Sequence, residues 1–165
     1  MRKTVFVIAL VAAAAMAALA AMPAAALTTV PVKMTFAEPL RAGWPGSEPC
    51  PDIGIDVNCG SGEVIPFGHA TQIVSIGACG EMCNFRWIDL ADGSLFLRET
   101  LSDVSCPGAC VTEWPHGSPF SATLTAVVVD GEGRYEGATG TLTGSLRAAA
   151  GQAQIKYEGT IALAS

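Results

Sequence analysis

Residues 152–163, near the end of the chain, alternate between apolar and polar side chains with a period of two. Successive side chains of a β-strand point to opposite faces of a sheet, so this pattern predicts a strand with one face in an apolar core. The apolar face would carry Ala153, Ile155, Tyr157, Gly159, Ile161 and Leu163. This segment is the clearest structural signal in the chain.

Shorter segments of the same kind precede it, and helical signals are almost absent after the first residues. Val32, Met34 and Phe36 alternate with polar neighbours, which predicts a half-buried strand over residues 28–36. Further strands are predicted over residues 67–76, 85–90, 95–101, 121–129 and 141–147, with turns at Asp92-Gly93 and Asp130-Gly131. Seven or eight short strands predict an all-β fold, a small antiparallel β-barrel of about eight strands, with a β-sandwich as the alternative.

The first 26 residues have the features of an export signal. Arg2 and Lys3 precede an unbroken apolar run over residues 5–21, Pro23 ends that run, and three alanines follow it. This order favours a cleavable secretory signal peptide over a membrane anchor. We therefore expect cleavage after Ala26, a single secreted or extracytoplasmic domain over residues 27–165, and no stable membrane insertion after cleavage.

The charge of the chain bears on its partners. Loss of Arg2 and Lys3 would leave 7 basic and 15 acidic residues, a net charge near −8. Because an acidic surface repels phosphate backbones, nucleic acid is not an expected partner.

Six cysteines lie after the predicted cleavage point, and an even number in an exported chain predicts three disulfide bonds. They are Cys50, Cys59, Cys79, Cys83, Cys106 and Cys110. The two C-x3-C spacings differ from the usual C-x2-C of zinc sites, so no metal is expected. We expect Cys50 and Cys59 to close a long loop rich in proline and glycine, predicted over residues 37–61. For the other four, meander topology brings the two C-x3-C loops to one end, which favours cross-links between them over two local bridges, Cys79–Cys83 and Cys106–Cys110.

The hairpin at Asp92-Gly93 predicts which side chains share a face. With those two residues as the turn, Arg86 would lie opposite Glu99 on the more apolar side, inside the barrel. Trp87 would then stack on Arg98 on the outer surface. For Arg86 and Glu99 we favour an ion pair at the rim, of little energetic worth.

Residues 130–140 read Asp-Gly-Glu-Gly-Arg-Tyr-Glu-Gly-Ala-Thr-Gly. This segment resembles the G-x-G-[RK]-[FY]-x-x-A-T-G signature of allene oxide cyclase-like and dirigent-like β-barrels, including exported bacterial members of unknown function. An upstream Gly-His-Ala-Thr at 68–71 and the Asp-Gly-Ser at 92–94 add to the resemblance, which covers residues 60–163. It implies an eight-stranded antiparallel barrel, often with an apolar cavity. No catalytic residue of the plant cyclases can be matched to a position here.

The motifs of common hydrolases and metalloenzymes are missing from the sequence, and the two histidines, His69 and His116, stand in ordinary strand and loop contexts. We therefore expect no cofactor and identify no catalytic residue. The leading hypothesis is an exported barrel that binds a small, partly apolar ligand or serves the cell envelope. The alternatives are a cofactor-free isomerase or cyclase, and a structural or protein-interaction module with a filled barrel. Candidate ligand contacts are Arg86, Glu99, Tyr135 and Tyr157, although packing is the ordinary role of such tyrosines. The sequence specifies neither the ligand nor the oligomeric state.

Overall fold

A computed structural model of the protein describes residues 27–39, 57–107, 119–149 and 151–164. The predicted signal peptide, Cys50, Cys110 and His116 lie outside these residues. Within them, no helix is long and apolar enough to cross a membrane.

Eight antiparallel strands form one closed barrel in which each strand pairs with its sequence neighbours and the first pairs with the last. The strands are β1 (Leu27–Pro39), β2 (Val57–Ile65), β3 (Gly68–Gly80), β4 (Cys83–Leu90), β5 (Gly93–Ser105), β6 (Phe120–Gly133), β7 (Thr139–Ala149) and β8 (Gln152–Ala164). The predicted small eight-stranded barrel is confirmed, and the sandwich alternative is not adopted.

The two ends of the barrel differ in their connections. Turns at residues 66–67, 91–92 and 134–137 lie at one end, which we call the hairpin end. The turn at residues 81–82 and the connections from β1 to β2, from β5 to β6 and from β7 to β8 lie at the other, which we call the loop end.

Apolar side chains from all eight strands pack together in the interior, as the alternating patterns of β1 and β8 predict. On β8, Ile155, Tyr157 and Ile161 point inward and are buried. Burial of this apolar surface is the main term that stabilises the barrel. The interior also includes Val32, Met34, Phe36, Val64, Ala70, Ile88, Leu95, Leu97, Leu124, Ala126, Val128, Leu142, Leu146 and Leu163.

The register of the β4–β5 hairpin differs by two residues from the predicted one. Ala91 and Asp92 form the turn, Leu90 lies opposite Gly93, and Arg86 lies opposite Leu97 rather than Glu99. Gly93 has a φ of 146°, and a Cβ there would lie 2.1 Å from the Glu132 carbonyl oxygen of β6. The glycine therefore serves the close approach of β6 and not the turn.

A shift of two residues keeps every side chain on its predicted face, so Arg86 and Glu99 do share the interior. The outer surface changes more. Trp87 lies opposite Phe96, and their ring centroids are 5.7 Å apart. The predicted Trp87–Arg98 stack is wrong, because Arg98 lies opposite Phe85.

The glycine-rich segment over residues 130–140 closes the hairpin end. Asp130-Gly131 is not a turn, because β6 continues to Gly133 and the turn follows at residues 134–137. The chain folds back so that Tyr135 is buried and meets Phe67 edge to face, with ring centroids 5.2 Å apart. Gly131 allows this fold, since a Cβ there would lie 2.1 Å from the Tyr135 carbonyl oxygen.

The predicted cross-links between the two C-x3-C loops are wrong, because Cys79 pairs with Cys83. The two-residue turn at 81–82 pairs Gly80 with Cys83 and brings the Cα atoms of Cys79 and Cys83 to 5.1 Å, within disulfide reach. Cys59 and Cys106 are also disulfide-bonded, and the described residues include no free cysteine. The disulfide at residues 79–83 is compatible with an extracytoplasmic location.

Candidate functional site

Part of strand β4 reverses the usual distribution of polar and apolar side chains, although Ile88 points into the core. Its inward side chains include Asn84 and Arg86, whereas the aromatic Phe85 and Trp87 point outward. A soluble barrel normally places apolar side chains inside and polar ones outside. Departures of this kind are expected at functional or strained places. Both faces of β4 are therefore candidate functional surfaces.

The inner face of β4 belongs to a polar cluster in the part of the interior nearer the loop end. Each of its six side chains is no more than 7 % exposed. The polar cluster consists of Glu38 of β1, Gln72 of β3, Asn84 and Arg86 of β4, Glu99 of β5 and Tyr157 of β8.

Arg86 lies at the centre of the polar cluster and uses all three guanidinium nitrogens. Nε donates to Glu99 Oε2 at 2.9 Å, and one terminal nitrogen donates to Glu99 Oε1 at 3.0 Å. The other terminal nitrogen donates to Glu38 Oε1 at 2.6 Å and to Gln72 Oε1 at 2.5 Å. This bidentate geometry suits an arginine and could not be reproduced by a lysine. The ion pair is fully buried, so its predicted placement at the rim is wrong.

Glu99 accepts hydrogen bonds from three side chains. In addition to Arg86, Asn84 Nδ2 donates to its Oε1 at 2.9 Å, and the Tyr157 hydroxyl donates to its Oε2. Asn84 also accepts a hydrogen bond from the Gly77 backbone nitrogen at 2.9 Å, which ties the irregular end of β3 to the cluster. Since β8 and β5 are not neighbours in the barrel, the Tyr157–Glu99 hydrogen bond spans its interior.

Two glycines make room for the polar cluster. A Cβ at Gly60 would lie 2.9 Å from Glu38 Cγ and 3.0 Å from Gln72 Nε2, so the hydrogen bond of 2.7 Å between Gln72 and Glu38 depends on the bare backbone of β2. A Cβ at Gly144 would lie 2.8 Å from Tyr157 Cδ1. The Tyr157 ring covers this glycine and approaches Arg86, whose Cζ lies 5.9 Å from the ring centroid.

The two carboxyl groups of the polar cluster titrate in opposite directions. Burial raises the pKa of Glu38, and the nearby charge of Arg86 offsets this only in part. Burial alone would also raise the pKa of Glu99, but the charge of Arg86 and the hydrogen bonds from Arg86, Tyr157 and Asn84 lower it. Burial raises the pKa of Tyr157 well above its usual value, so its hydroxyl is a neutral donor. The stable arrangement is an ionised Glu99 paired with Arg86 beside a carboxyl at Glu38 that resists ionisation.

The structure brings together three of the four predicted ligand contacts, Arg86, Glu99 and Tyr157. Tyr135 lies apart from them, at the hairpin end. Sequence reasoning missed Glu38, Gln72 and Asn84. For Glu38 a signal was present, because the alternation of Val32, Met34 and Phe36 continues to residue 38 on the same face.

The remaining candidates lie outside this cluster. His69 is exposed and lies 3.5 Å from Glu63 on the barrel surface. Among the described residues no group of three or more His, Cys, Asp or Glu side chains is placed to hold a metal ion. Comparison of the chain with protein-family models, curated proteins and solved structures found no match. The resemblance of residues 130–140 to the cyclase-like and dirigent-like signature stays a prediction.

Proposed function

We propose that the protein is an exported structural or protein-interaction module, a non-enzymatic barrel filled by its own side chains that acts through its outer wall. The observation that carries the proposal is that the polar cluster provides hydrogen-bond partners for its own buried groups. Every buried side-chain nitrogen and oxygen in the described part of the chain has a hydrogen-bond partner. In that part of the chain no buried polar side-chain atom is left for a ligand to satisfy.

The polar cluster also connects strands across the interior of the barrel. Its hydrogen bonds join β1, β3, β4, β5 and β8, including pairs of strands that are not neighbours in the sheet. A buried network in which every member is satisfied fixes one arrangement of the surrounding strands. A rigid barrel of this kind is suited to presenting a constant outer surface.

A second candidate function is the binding of a small, partly apolar molecule at the loop end. The observation in its favour is Glu38, a buried carboxyl at the end of β1 with a raised pKa, beside Arg86. Perturbed carboxyls near a barrel mouth are recurrent features of binding sites and of cofactor-free isomerases. An amphiphilic ligand would have to replace Gln72 or Glu38 as a partner of Arg86.

Native mass spectrometry of the protein recovered from an export compartment separates the two candidates. We expect the mass of a chain beginning near Leu27, with no companion molecule that survives gentle desolvation. A companion lost from the Glu38→Gln variant, but retained by the exposed control Lys156→Gln, would support ligand binding and contradict the filled module. N-terminal sequencing of the same sample tests export, since retention of Met1 on membrane-bound material would contradict cleavage.

A further inference from the structure

The outer face of β4 carries aromatic side chains where a soluble barrel normally carries polar ones. Phe85 and Trp87 point outward together with Phe96 of β5, and all three are half-buried. The ring centroids of Phe85 and Phe96 are 5.2 Å apart in a stacked arrangement, and those of Trp87 and Phe96 are 5.7 Å apart. We call these three rings the aromatic strip.

Aliphatic side chains extend the aromatic strip on both sides. Ile73 of β3 lies opposite Trp87, while Val127 and Val129 of β6 are 36 % and 45 % exposed. The only polar atom of the Trp87 side chain is turned aside, because Nε1 donates to Asp89 at 2.6 Å. The rings and these aliphatic side chains form an apolar surface on β3 to β6, which Arg98 interrupts beside Val127 and Asp130 interrupts beside Phe96. Exposed apolar groups clustered in this way mark interaction sites on soluble proteins.

The opposite wall of the barrel shows the contrast. Outward positions of β7 and β8 carry hydroxyl and charged side chains, as in the cross-strand pairs Thr141–Thr160, Thr143–Glu158 and Ser145–Lys156. The apolar surface therefore does not continue onto β7 and β8. Exposed apolar side chains on β1 and β2, Leu27 and Ile65, lie at strand ends, so the three clustered rings mark the β3–β6 wall as the contact surface.

We propose that the aromatic strip is the contact surface for a second copy of this chain in a two-fold dimer, an inference that rests on the proposed function as an interaction module. The charges beside the strip favour this occupant. Arg98 lies on one side of the row formed by Trp87 and Phe96, and Asp89 lies on the other. With a two-fold axis running across the strands through Trp87 and Phe96, Arg98 of each copy lies toward Asp89 of the other. Asp130 lies opposite Phe96 on the same row and approaches the same residue of the other copy, so two pairs of opposite charge form against one approach of like charges.

The surroundings of the strip disfavour an anionic membrane as the occupant. The chain has a net charge of −6, and exposed Asp89 and Asp130 border the strip, so anionic headgroups would be repelled. The aromatic strip lies on two adjacent strands of a convex barrel. We therefore expect an interface smaller than the standard of roughly 800 Å² per partner, and a dimer that dissociates at about micromolar concentrations.

Sedimentation velocity of the disulfide-intact protein over a range of concentrations tests the dimer. We expect a concentration-dependent shift from monomer to dimer, and association about tenfold weaker or more in Trp87→Thr with Phe96→Thr, since aromatic side chains dominate such contacts. Lys156→Thr on the opposite wall is the matched control and should associate like the wild type. A wild type that stays monomeric up to about 1 mM, well above that range, would overturn the proposal.

A charge exchange separates the two-fold dimer from other occupants and from misfolding. Arg98→Asp and Asp89→Arg should each weaken association, and the double variant should restore it while thermal unfolding stays unchanged. Restoration would support the proposed pairing, and additive weakening would contradict it. Strip-dependent binding to lipid vesicles by a strictly monomeric protein would also overturn the dimer. A bound small molecule in the interior would overturn the filled module instead, so the two failures are distinguishable.

Discussion

Arg86 and Glu99 lie on adjacent strands but are not directly opposite each other. Arg86 lies opposite Leu97, and its guanidinium donates to both carboxylate oxygens of Glu99, two residues further along β5. The diagonal arrangement leaves Asn84 opposite Glu99, where it adds a further donor. Glu99 is therefore surrounded by donors and has a lowered pKa, whereas Glu38 shares its Oε1 between Arg86 and Gln72, accepts a hydrogen bond from the Asn58 side chain, and has a raised pKa. The two acids of one cluster therefore differ in their hydrogen-bond surroundings and in the direction of their pKa shifts.

Removal of the central cation should be costly. In Arg86→Met two buried carboxyl groups lose their common partner, which we expect to lower the free energy of unfolding by about 3–5 kcal/mol. Arg86→Lys should fall between this variant and the wild type, because an ammonium keeps the charge but lacks the planar fork. Urea unfolding measures the series, with the exposed Lys156→Met as a control that should change stability by less than about 0.5 kcal/mol. A loss below about 1 kcal/mol in Arg86→Met would show that the pair is not buried as described.

The two carboxyl groups provide a matched pair of substitutions. Glu99→Gln places an amide NH₂ among the donors from Arg86, Asn84 and Tyr157, so a loss of about 2–4 kcal/mol is expected. Glu38→Gln keeps an oxygen for the donors from Gln72 and Arg86, replaces a carboxyl whose ionised form is disfavoured by burial, and leaves the half-buried Asn58 free to turn its amide oxygen toward the new NH₂. A change within about 1 kcal/mol is therefore expected. Both substitutions conserve volume and alter the same cluster. Equal losses in the two variants would contradict the different roles of these residues.

How much of this could be read from the sequence depends on the distance between contacting strands. Alternation in β1 and β8 gave the barrel faces correctly, and the β4–β5 hairpin placed Arg86 and Glu99 inside it. Contacts such as Arg86–Glu38 join strands that become close only when the sheet closes, and no local pattern reports them. Gln72 is an example. Its inward position between Ala70 and Val74 is visible in the sequence, but its hydrogen-bond partner, Arg86 of β4, is not.

The errors have equally local causes. Asp-Gly is a strong hairpin signal, which placed the predicted turn at residues 92–93. Gly93 instead lies in β5, where β6 passes close to its backbone, and the turn is one residue earlier in the chain, at residues 91–92. At Asp130-Gly131 the glycine similarly accommodates Tyr135 folding back, and β6 runs on. In both cases tertiary contact, and not turn geometry, accounts for the glycine.

The pH dependence of stability should separate the two acids. Glu38 has a pKa above its ordinary value of 4.5 in the folded protein, so its contribution is complete below pH 4.5 and is lost as the pH rises through the folded pKa. Glu99 has a lowered pKa, so its contribution is present above pH 4.5 and is lost as the pH falls through the folded pKa. Urea unfolding of the wild type and the Gln variants between pH 3 and 8 measures both contributions.

The variants give each pH effect a sign. Relative to the wild type, Glu38→Gln should become more favourable as the pH rises above 4.5, because the unfolded wild-type chain releases the Glu38 proton that the folded protein retains. The stability advantage of the wild type over Glu99→Gln should shrink as the pH falls below 4.5. A difference that is independent of pH for either variant would show that the corresponding pKa is not shifted on folding.

Loss of the local disulfide should weaken the barrel only modestly. The Cys79–Cys83 bond closes a ring of few residues, for which the loop-entropy relation gives about 2 kcal/mol at 25 °C. In Cys79→Ser with Cys83→Ser, the pairing of Ser75 with Phe85 and the Gly77–Asn84 hydrogen bond still hold the end of β3 in place. We therefore expect a cooperative unfolding transition with a loss of about 2 kcal/mol or less, measured by urea unfolding without reductant.

Hydrogen exchange tests whether the Gly77–Asn84 hydrogen bond holds the end of β3. The Gly77 amide should stay protected in the double variant, whereas Asn84→Ala should expose it with the disulfide intact. Loss of Gly77 protection together with a loss above about 4 kcal/mol in the double variant would show that the disulfide, and not Asn84, holds this end of the sheet.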